Sequence, residues 1–528
     1  MSDAPDRDQM LWREAIANRP RHWVRLVTAC NNKCLFCLDM DTPRNVYLSE
    51  DEVKAEILRG RTEHGAWKVI LSGGEASVHP LFAEFIRYAH EVGYGRVQTV
   101  TNGMFYGDKP FFDTVMAAGL DEITFSLHGH TAELHDHLVQ TPGAFRRLIR
   151  GLVRALRDGR PIVNVDVVIN QQNVAHIDKI VELAASLGVR EFDLLHVIPQ
   201  SAAYDNREVM FYDVKEHLPK LQKVFRLNRH PRFVIWTNRF PVAWLEGLED
   251  LIQDPHKMLD EVNGRRFMVR NYLDHGTPLS CREAERCPHC FIEPFCTTMD
   301  RVMEDQEEHR WQIWDGKPMA ELPFGCERLA VAWSEDLPDR PLHVREAPAR
   351  ALALPAGSTL VATTGAQLEA WIPEPPAALL VELNRDTAAW LASHDAPPLH
   401  LHQPTHETME EALDQDVADP RGFFEALGER HRVSGLPACL APGTELVDPP
   451  AVLHERLFDP ETGRLSIREL ARYHVTDRYR STSIRCDTCP VFDRCEGVHI
   501  NSVRAHGLER LRPLSGSWAD DARAQLTA

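Results

Sequence analysis

The sequence has no run of about eighteen apolar residues, the minimum for a membrane-spanning helix, and no apolar signal core near Met1. Membrane insertion and export are therefore not expected, and a cytoplasmic location is. Positive charge is also short: 59 Lys and Arg stand against 78 Asp and Glu, for a net charge of -19. A surface that grips nucleic acid through its phosphates needs clustered Lys and Arg, so neither nucleic acid nor a membrane is expected as a partner. What the chain does have is length and apolar content. Its 528 residues, 43% hydrophobic, suffice for two or three packed domains. It also has 12 cysteines, most of them in three short groups. In a reducing compartment such groups read as metal or cluster ligands rather than disulfides.

Between residues 22 and 200, β-branched runs alternate with amphipathic stretches. Six strands are expected, at His22 to Thr28, Trp67 to Ser72, Arg96 to Thr101, Glu122 to His128, Ile162 to Ile169 and Glu191 to Val197. Helices are expected between them. The clearest has a capping box at Ser49 and Glu52, with Val53, Ile57 and Leu58 on one face and Gly60 as its stop. Others span Leu81 to His90, ending near Gly93, and Pro142 to Arg157, ending near Gly159. Parallel strands joined by right-handed crossovers wind such a pattern into a curved sheet with helices outside. The expected fold class is α/β: a partial (βα)6 barrel followed by a cysteine-rich region with a small α/β insert.

The expected division is a tail over 1–20, a core barrel over 21–215, a bridging region with a first cysteine group over 216–330, a linker and small α/β insert over 331–430, and a second cysteine group over 431–528. The rhythm is lost beyond about residue 215. The stretch from Leu337 to Pro376 is rich in proline and alanine, as linkers are, although Thr359 to Thr363 and Ala378 to Glu382 still read as strands.

Directly after the first strand stands Cys30-Asn-Asn-Lys-Cys34-Leu-Phe-Cys37, a C-x3-C-x2-C spacing. A loop there sits at the C-terminal mouth of the barrel, where parallel α/β folds place their sites. Three thiolates on a four-iron cluster leave one iron open to an exogenous chelator. Zinc sites usually want four ligands in paired knuckles, and this triplet has no evident fourth. After the second strand comes Ser72-Gly73-Gly74-Glu75, after the third Thr101-Asn102-Gly103, and after the fourth Ser126-Leu127-His128-Gly129.

Together these motifs, from Arg21 to Gln200, resemble the radical S-adenosylmethionine (radical SAM) superfamily. The resemblance implies that Cys30, Cys34 and Cys37 are the catalytic cluster ligands, that SAM chelates the open iron, and that Phe36, Gly73, Gly74, Glu75, Thr101, Asn102 and Ser126 bind the cofactor. Asn164 and Ile198 are weaker carry-overs. It further implies reductive cleavage of SAM to a 5'-deoxyadenosyl radical that abstracts a substrate hydrogen, with an electron donor such as flavodoxin or ferredoxin as partner. By the same resemblance the aromatic residue before the third cysteine, Phe36, is expected to pack near the adenine and exclude water.

One repeat runs through the later cysteines. Cys287-x2-Cys290-x5-Cys296 matches Cys486-x2-Cys489-x5-Cys495 in both gaps, and Cys281 or Cys439 precedes each. Each set offers four thiolates, which suits a fully ligated 4Fe-4S cluster and equally tetrahedral zinc. The spacing resembles part of the SPASM and twitch auxiliary-cluster signature. That likeness points to maturation of a peptide or protein side chain, although about twenty residues before the first strand leave no room for a separate leader-binding domain. The alternative is a small-molecule substrate in cofactor or secondary-metabolite biosynthesis, and a second alternative is a non-catalytic iron-sulfur or zinc protein. Cys326 reads as a buried thiol or a substitute ligand. His400, His402 and His406 invite a metal reading that no matching carboxylate supports. His128, His135 and His137 lie near the expected mouth, and Gln253 to Lys257 with Asp260 and Glu261 reads as a capped, solvated helix start.

Overall fold

The β-branched runs become strands because valine and isoleucine at alternate positions find an apolar layer on one side. The computed structural model describes residues 7–307, 311–314, 329–335, 337, 339, 341–350, 353–375, 377–428, 430–449, 452–459 and 461–515; Cys326 lies outside them. The chain divides into two compact units, Met1–Asp254 with Cys281–Phe291, and Pro255–Ser280 with Ile292–Ala528.

The first unit is built on seven parallel strands in chain order: β1 Arg21–Val27, β2 Lys68–Gly73, β3 Arg96–Thr101, β4 Glu122–Ser126, β5 Ile162–Ile169, β6 Glu191–His196 and β7 Val234–Asn238. The expected α/β barrel class is present, with one strand more than the sequence predicts. The seventh follows a helix over Val214–Phe225 that contains Pro219, and it pairs with β6 from Glu191↔Val234 to Leu195↔Asn238. Proline inside that helix and the basic segment after it disguise the βα unit. One face of the sheet carries Ile123, Phe125, Val165, Val167, Phe192 and Leu194, all fully buried. Register sets Ser126, Asp166 and Asp193 abreast on the other.

The helix over Glu50–Thr62 has the expected capping box at Ser49 and Glu52 and buries Val53 and Ile57. Two details differ from expectation. Leu58 is exposed, and Gly60 is inside the helix rather than at its stop. A Cβ there would meet the His22 ring at 2.3 Å and the Tyr94 hydroxyl at 2.4 Å, so glycine serves close packing.

In the second unit, the expected small insert is a larger sheet. Among the described residues nine parallel strands take part: β8 Trp311–Trp314, β9 Leu329–Ala332, β10 Leu342–Arg345, β11 Thr359–Ala362, β12 Ala378–Glu382, β13 His400–His402, β14 Arg432–Ser434, β15 Glu445–Leu446 and β16 Val452–His454. From β8 to β15 they again follow chain order, and β16 pairs beside β8. Leu342, Val344, Leu360, Val381, Leu401 and Val433 pack on one side with Leu368, Trp371, Leu391 and Phe424 from the intervening helices.

A buried polar hub ties the β13–β14 connection to the C-terminal helix. Asp416, 2% exposed, bonds His406 Nε2 and Gln403 Nε2 at 2.8 Å each and Ser502 Oγ at 2.6 Å. Burial alone pushes its pKa up, but hydrogen bonds from His406, His506 and Ser502 overcome this and hold the carboxyl below its usual range. Because the folded pKa is the depressed one, the stabilisation is fully present above pH about 4 and is lost as pH falls. Asp416→Ala is expected to cost about 3–5 kcal/mol in urea unfolding at neutral pH, and less in acid.

Candidate functional site

Past the end of β1 the chain passes through Thr28 and Ala29 into the cysteine loop. Gly74 N donates to Val27 O at 2.8 Å and Glu75 N to Ala29 O at 2.9 Å, so the Gly-Gly-Glu segment is laced to the residue before Cys30. A Cβ on Gly73 would stand 2.2 Å from Val27 O, and one on Gly74 2.4 Å from Ala29 O. Gly73 also has φ of +144°, where side chains are disfavoured. The glycine pair is thus required by the protein's own seam as well as by any cofactor that approaches.

Glu75 is buried and fully engaged. Its Oε1 accepts from Ser77 N at 3.2 Å, Ser77 Oγ at 2.5 Å and Thr101 Oγ1 at 2.8 Å, and its Oε2 accepts from Asn102 N at 2.7 Å. Asn102 Nδ2 in turn donates to Asn31 Oδ1 at 2.5 Å. Glu75 therefore ties the end of β3 to the cysteine loop and positions it. In Glu75→Gln an amide NH2 would face one of these donors, so a stability loss of about 2 kcal/mol is expected, with weaker SAM cleavage, measured by urea unfolding beside product chromatography.

The loop is held from two further sides. Lys33 N donates to Val139 O and Leu35 N to Leu138 O, both at 3.0 Å, and Ala202 N donates to Cys37 O at 3.2 Å. Cys34 packs against Met104, Val139 and Ala144. Burial pushes the Cys30 thiol up to about 11, against an opposing backbone N–H from Asn32, and raises Cys34 and Cys37 as well. Cys34 also feels both other sulfurs. Three mutually close thiols that resist ionisation alone become thiolates when cationic iron sits among them. This donor set fits a cluster with three protein ligands.

Around the loop, Phe36 is buried and meets the His128 ring edge-on, centroids 4.8 Å apart. His128 and His135 are buried and engaged. His128 Nδ1 accepts from Val168 N at 3.3 Å, and His135 Nδ1 from His128 N at 3.2 Å. Burial lowers both, His135 to about 4, so both are neutral near pH 7. His137 is exposed. Ser126 Oγ donates to Asp166 Oδ1 at 2.7 Å, and burial raises Asp166 to about 7, with Asp193 adding to the effect. Asp166 escapes the sequence reading; its signal is a lone acid within the Val165-Asp-Val167 run. Asn164 donates to Glu122 at 3.1 Å, and Ile198 is buried just past β6.

All three C-x2-C turns share one local bond, from the N–H of the later cysteine to the carbonyl of the earlier: Cys37 to Cys34 at 3.1 Å, Cys290 to Cys287 at 2.9 Å and Cys489 to Cys486 at 2.8 Å. Cys281, Cys287 and Cys290 belong to the first unit, and Cys296 lies on a helix of the second, Glu293–Glu307. In the second unit, Cys439, Cys486, Cys489 and Cys495 line one pocket with Val491, Phe492, Leu511 and Leu514. The pocket is small and partly open to solvent. Cys439 reaches it from 47 residues upstream of Cys486 in the chain, and burial raises its thiol to about 11, with the other three sulfurs adding to the effect. Among the described residues no cysteine forms a disulfide, and no group of three or more His, Cys, Asp or Glu side chains is arranged to hold a single metal ion.

A sequence model of the Radical SAM superfamily matches residues 24–184. The probable GTP 3',8-cyclase of Saccharolobus solfataricus is 30% identical over 222 residues, which span 40% of this chain and 70% of that protein. The chain belongs to the radical SAM superfamily. It is an enzyme of that superfamily, whose members use a 4Fe-4S cluster and SAM. The AdoMet-dependent heme synthase of Methanosarcina barkeri is 30% identical over 200 residues, 37% of this chain and 56% of that protein. Among solved structures, Streptococcus suis SuiB bound to S-adenosylmethionine aligns over 45% of this radical SAM enzyme and 55% of its own chain, at 14% identity and a TM-score of 0.36. Methylornithine synthase aligns over 44% and 72%, at 14% identity and a TM-score of 0.33. Among the described residues no helix is long and apolar enough to cross a membrane.

Proposed function

We propose that this enzyme binds its SAM-chelating cluster through Cys30, Cys34 and Cys37 and uses it to abstract a hydrogen from a small-molecule substrate. The carrying observation is the seam between Val27–Ala29 and Gly73–Glu75, which sets two motifs distant in sequence side by side at the C-terminal edge of the first sheet. Cluster and SAM together would supply one-electron cleavage and a hydrogen-abstracting radical, the hard chemistry that the cofactor carries. The protein's share is positioning and shielding. Phe36 excludes water beside the loop, Asn102 and Glu75 hold it, and Ser126 with Asp166 offers a hydroxyl and a carboxyl to the cofactor or substrate.

A small molecule, with a purine nucleotide as the first to test, is favoured by the relatives named as GTP 3',8-cyclases and heme synthase. Peptide side-chain maturation is the second reading, favoured by the repeated C-x2-C-x5-C spacing and the four-cysteine pocket. We place the enzyme in the cytoplasm, with a flavodoxin or ferredoxin as donor. The test is anaerobic incubation of the reconstituted full chain with SAM, reductant and deuterated candidates. Deuterium appearing in 5'-deoxyadenosine from a labelled metabolite, with no peptide present, is the expected result. Transfer from a peptide alone would replace the first reading with the second, and no SAM cleavage by fully iron-loaded protein would sink both.

A further inference from the structure

The first sheet has two unlike faces. On the helix side Phe125, Val165, Phe192 and Leu194 are fully buried. On the other, the alternate residues of β6 and β7, Glu191, Asp193, Leu195, Val234, Trp236 and Asn238, all keep some exposure. Ser126 on β4 and Val168 on β5 do so too. A space open to solvent therefore lies over this inner face. Register lays its side chains out in rows: Thr124, Asn164 and Glu191 in one, and Ser126, Asp166 and Asp193 in the next. The second row stands about 6.6 Å nearer the C-terminal mouth, where parallel α/β folds place their sites.

The chemistry of these rows is that of acceptors. Glu122 is ion-paired with Lys68 at 3.0 Å and so can only accept. Asn164 Nδ2 donates to it at 3.1 Å, which fixes the end of the amide that is nitrogen. Glu122 lies toward the N-terminal ends of the strands, two residues before Thr124, so the amide oxygen is turned the other way, toward Asp166. That oxygen belongs to a residue only 6% exposed and has no hydrogen-bond partner. A buried acceptor without a donor is costly. Asp166 accepts from Ser126 Oγ at 2.7 Å, one of about four hydrogen bonds that a carboxylate can take. Lys68 is committed to Glu122 and Gln98. Acceptors that converge on one space repel an anion and call for a group that brings N–H donors. Val168, Leu195 and the Trp236 ring, which Glu191 holds through Nε1 at 2.8 Å, offer apolar surface to a flat organic body beside it.

We propose that this wall recognises an amidine-type edge of the substrate, two N–H-bearing nitrogens on one carbon as in a guanidine or a guanine ring, through Asn164 Oδ1 and the Asp166 carboxylate. The proposal rests on the small-molecule reading above and adds the group by which that molecule is held. Asn164 then serves the substrate rather than the cofactor.

Titration calorimetry on the iron-reconstituted full chain, at fixed ionic strength with and without saturating SAM, tests it with benzamidine and its oxygen isostere benzoate as probes. Saturable binding of one benzamidine per chain and none of benzoate is expected, weakened about tenfold or more in Asp166→Asn and in Asn164→Ser. No saturable benzamidine binding up to about 10 mM, benzoate bound as tightly as benzamidine, or equal binding by the parent and both variants would overturn the proposal. So would benzamidine binding that SAM abolishes, because these groups would then hold the cofactor. If Asp166→Asn does not fold, Asn164→Ser is the deciding variant. SAM cleavage is measured on the same sample: its absence would sink the radical SAM reading, and the titration would still decide for or against this wall.

Discussion

Cys34→Ala is expected to abolish SAM cleavage while leaving the fold intact. Cys34 is the middle thiol of the loop and the one that packs against Met104, Val139 and Ala144. Loss of its sulfur leaves a void of about one atom, which costs about 1 kcal/mol, small against the stability of a domain. The loop backbone survives, because Lys33, Leu35 and Cys37 are held through main-chain bonds that no side chain mediates. Two thiolates cannot retain a cluster designed for three. The variant should therefore lose about four iron atoms per chain and fall to background in 5'-deoxyadenosine formation, with circular dichroism and unfolding near the parent's. Retained cleavage in Cys34→Ala, with three other variants at Cys30, Cys37 and Phe36 also active, would remove this loop from the chemistry.

The contrast between what sequence and structure supply is sharpest in the same region. Strands β1 to β5 are legible because they carry β-branched residues and β6 because Phe192 and Leu194 alternate with polar neighbours, and β7 is hidden by Pro219 and a basic loop. Gly73 and Gly74 are legible as a motif, but their reason is steric: carbonyl oxygens of Val27 and Ala29 occupy the places of their Cβ atoms. Glu75 reads as a cofactor residue, yet its two oxygens are taken up by donors from Ser77, Thr101 and Asn102. No local pattern announces that. The second sheet is the least legible part. Strands of two to five residues are too short to show alternation, and the prolines between them imitate a linker. Its register, which makes one face apolar and the other rich in histidine and arginine, exists only once the strands are paired.

Cys439 poses the opposite problem, since counting to four thiolates picks it out and only the fold can show whether it arrives. It follows β14 on a turn and lines the pocket shared with Cys486, Cys489 and Cys495. The hairpin of Arg480–Ser481 with Val498–His499 closes that knuckle, and Gly497 is pressed so tightly against Ser481 O that a Cβ would stand 2.1 Å away. The frame around the four sulfurs is thus held in part by backbone packing. Cys439→Ala combined with Cys489→Ala, which leaves two thiolates in the pocket, should therefore fold, yet lower bound iron by about four atoms per chain and leave SAM cleavage by the three-cysteine loop of the first unit close to the parent's. Substrate turnover should fall more than cleavage, because the second cluster would act after the radical forms. A loss of about one zinc with iron unchanged would instead assign tetrahedral zinc to this pocket. Unchanged metal content of both kinds would show that this pocket holds neither.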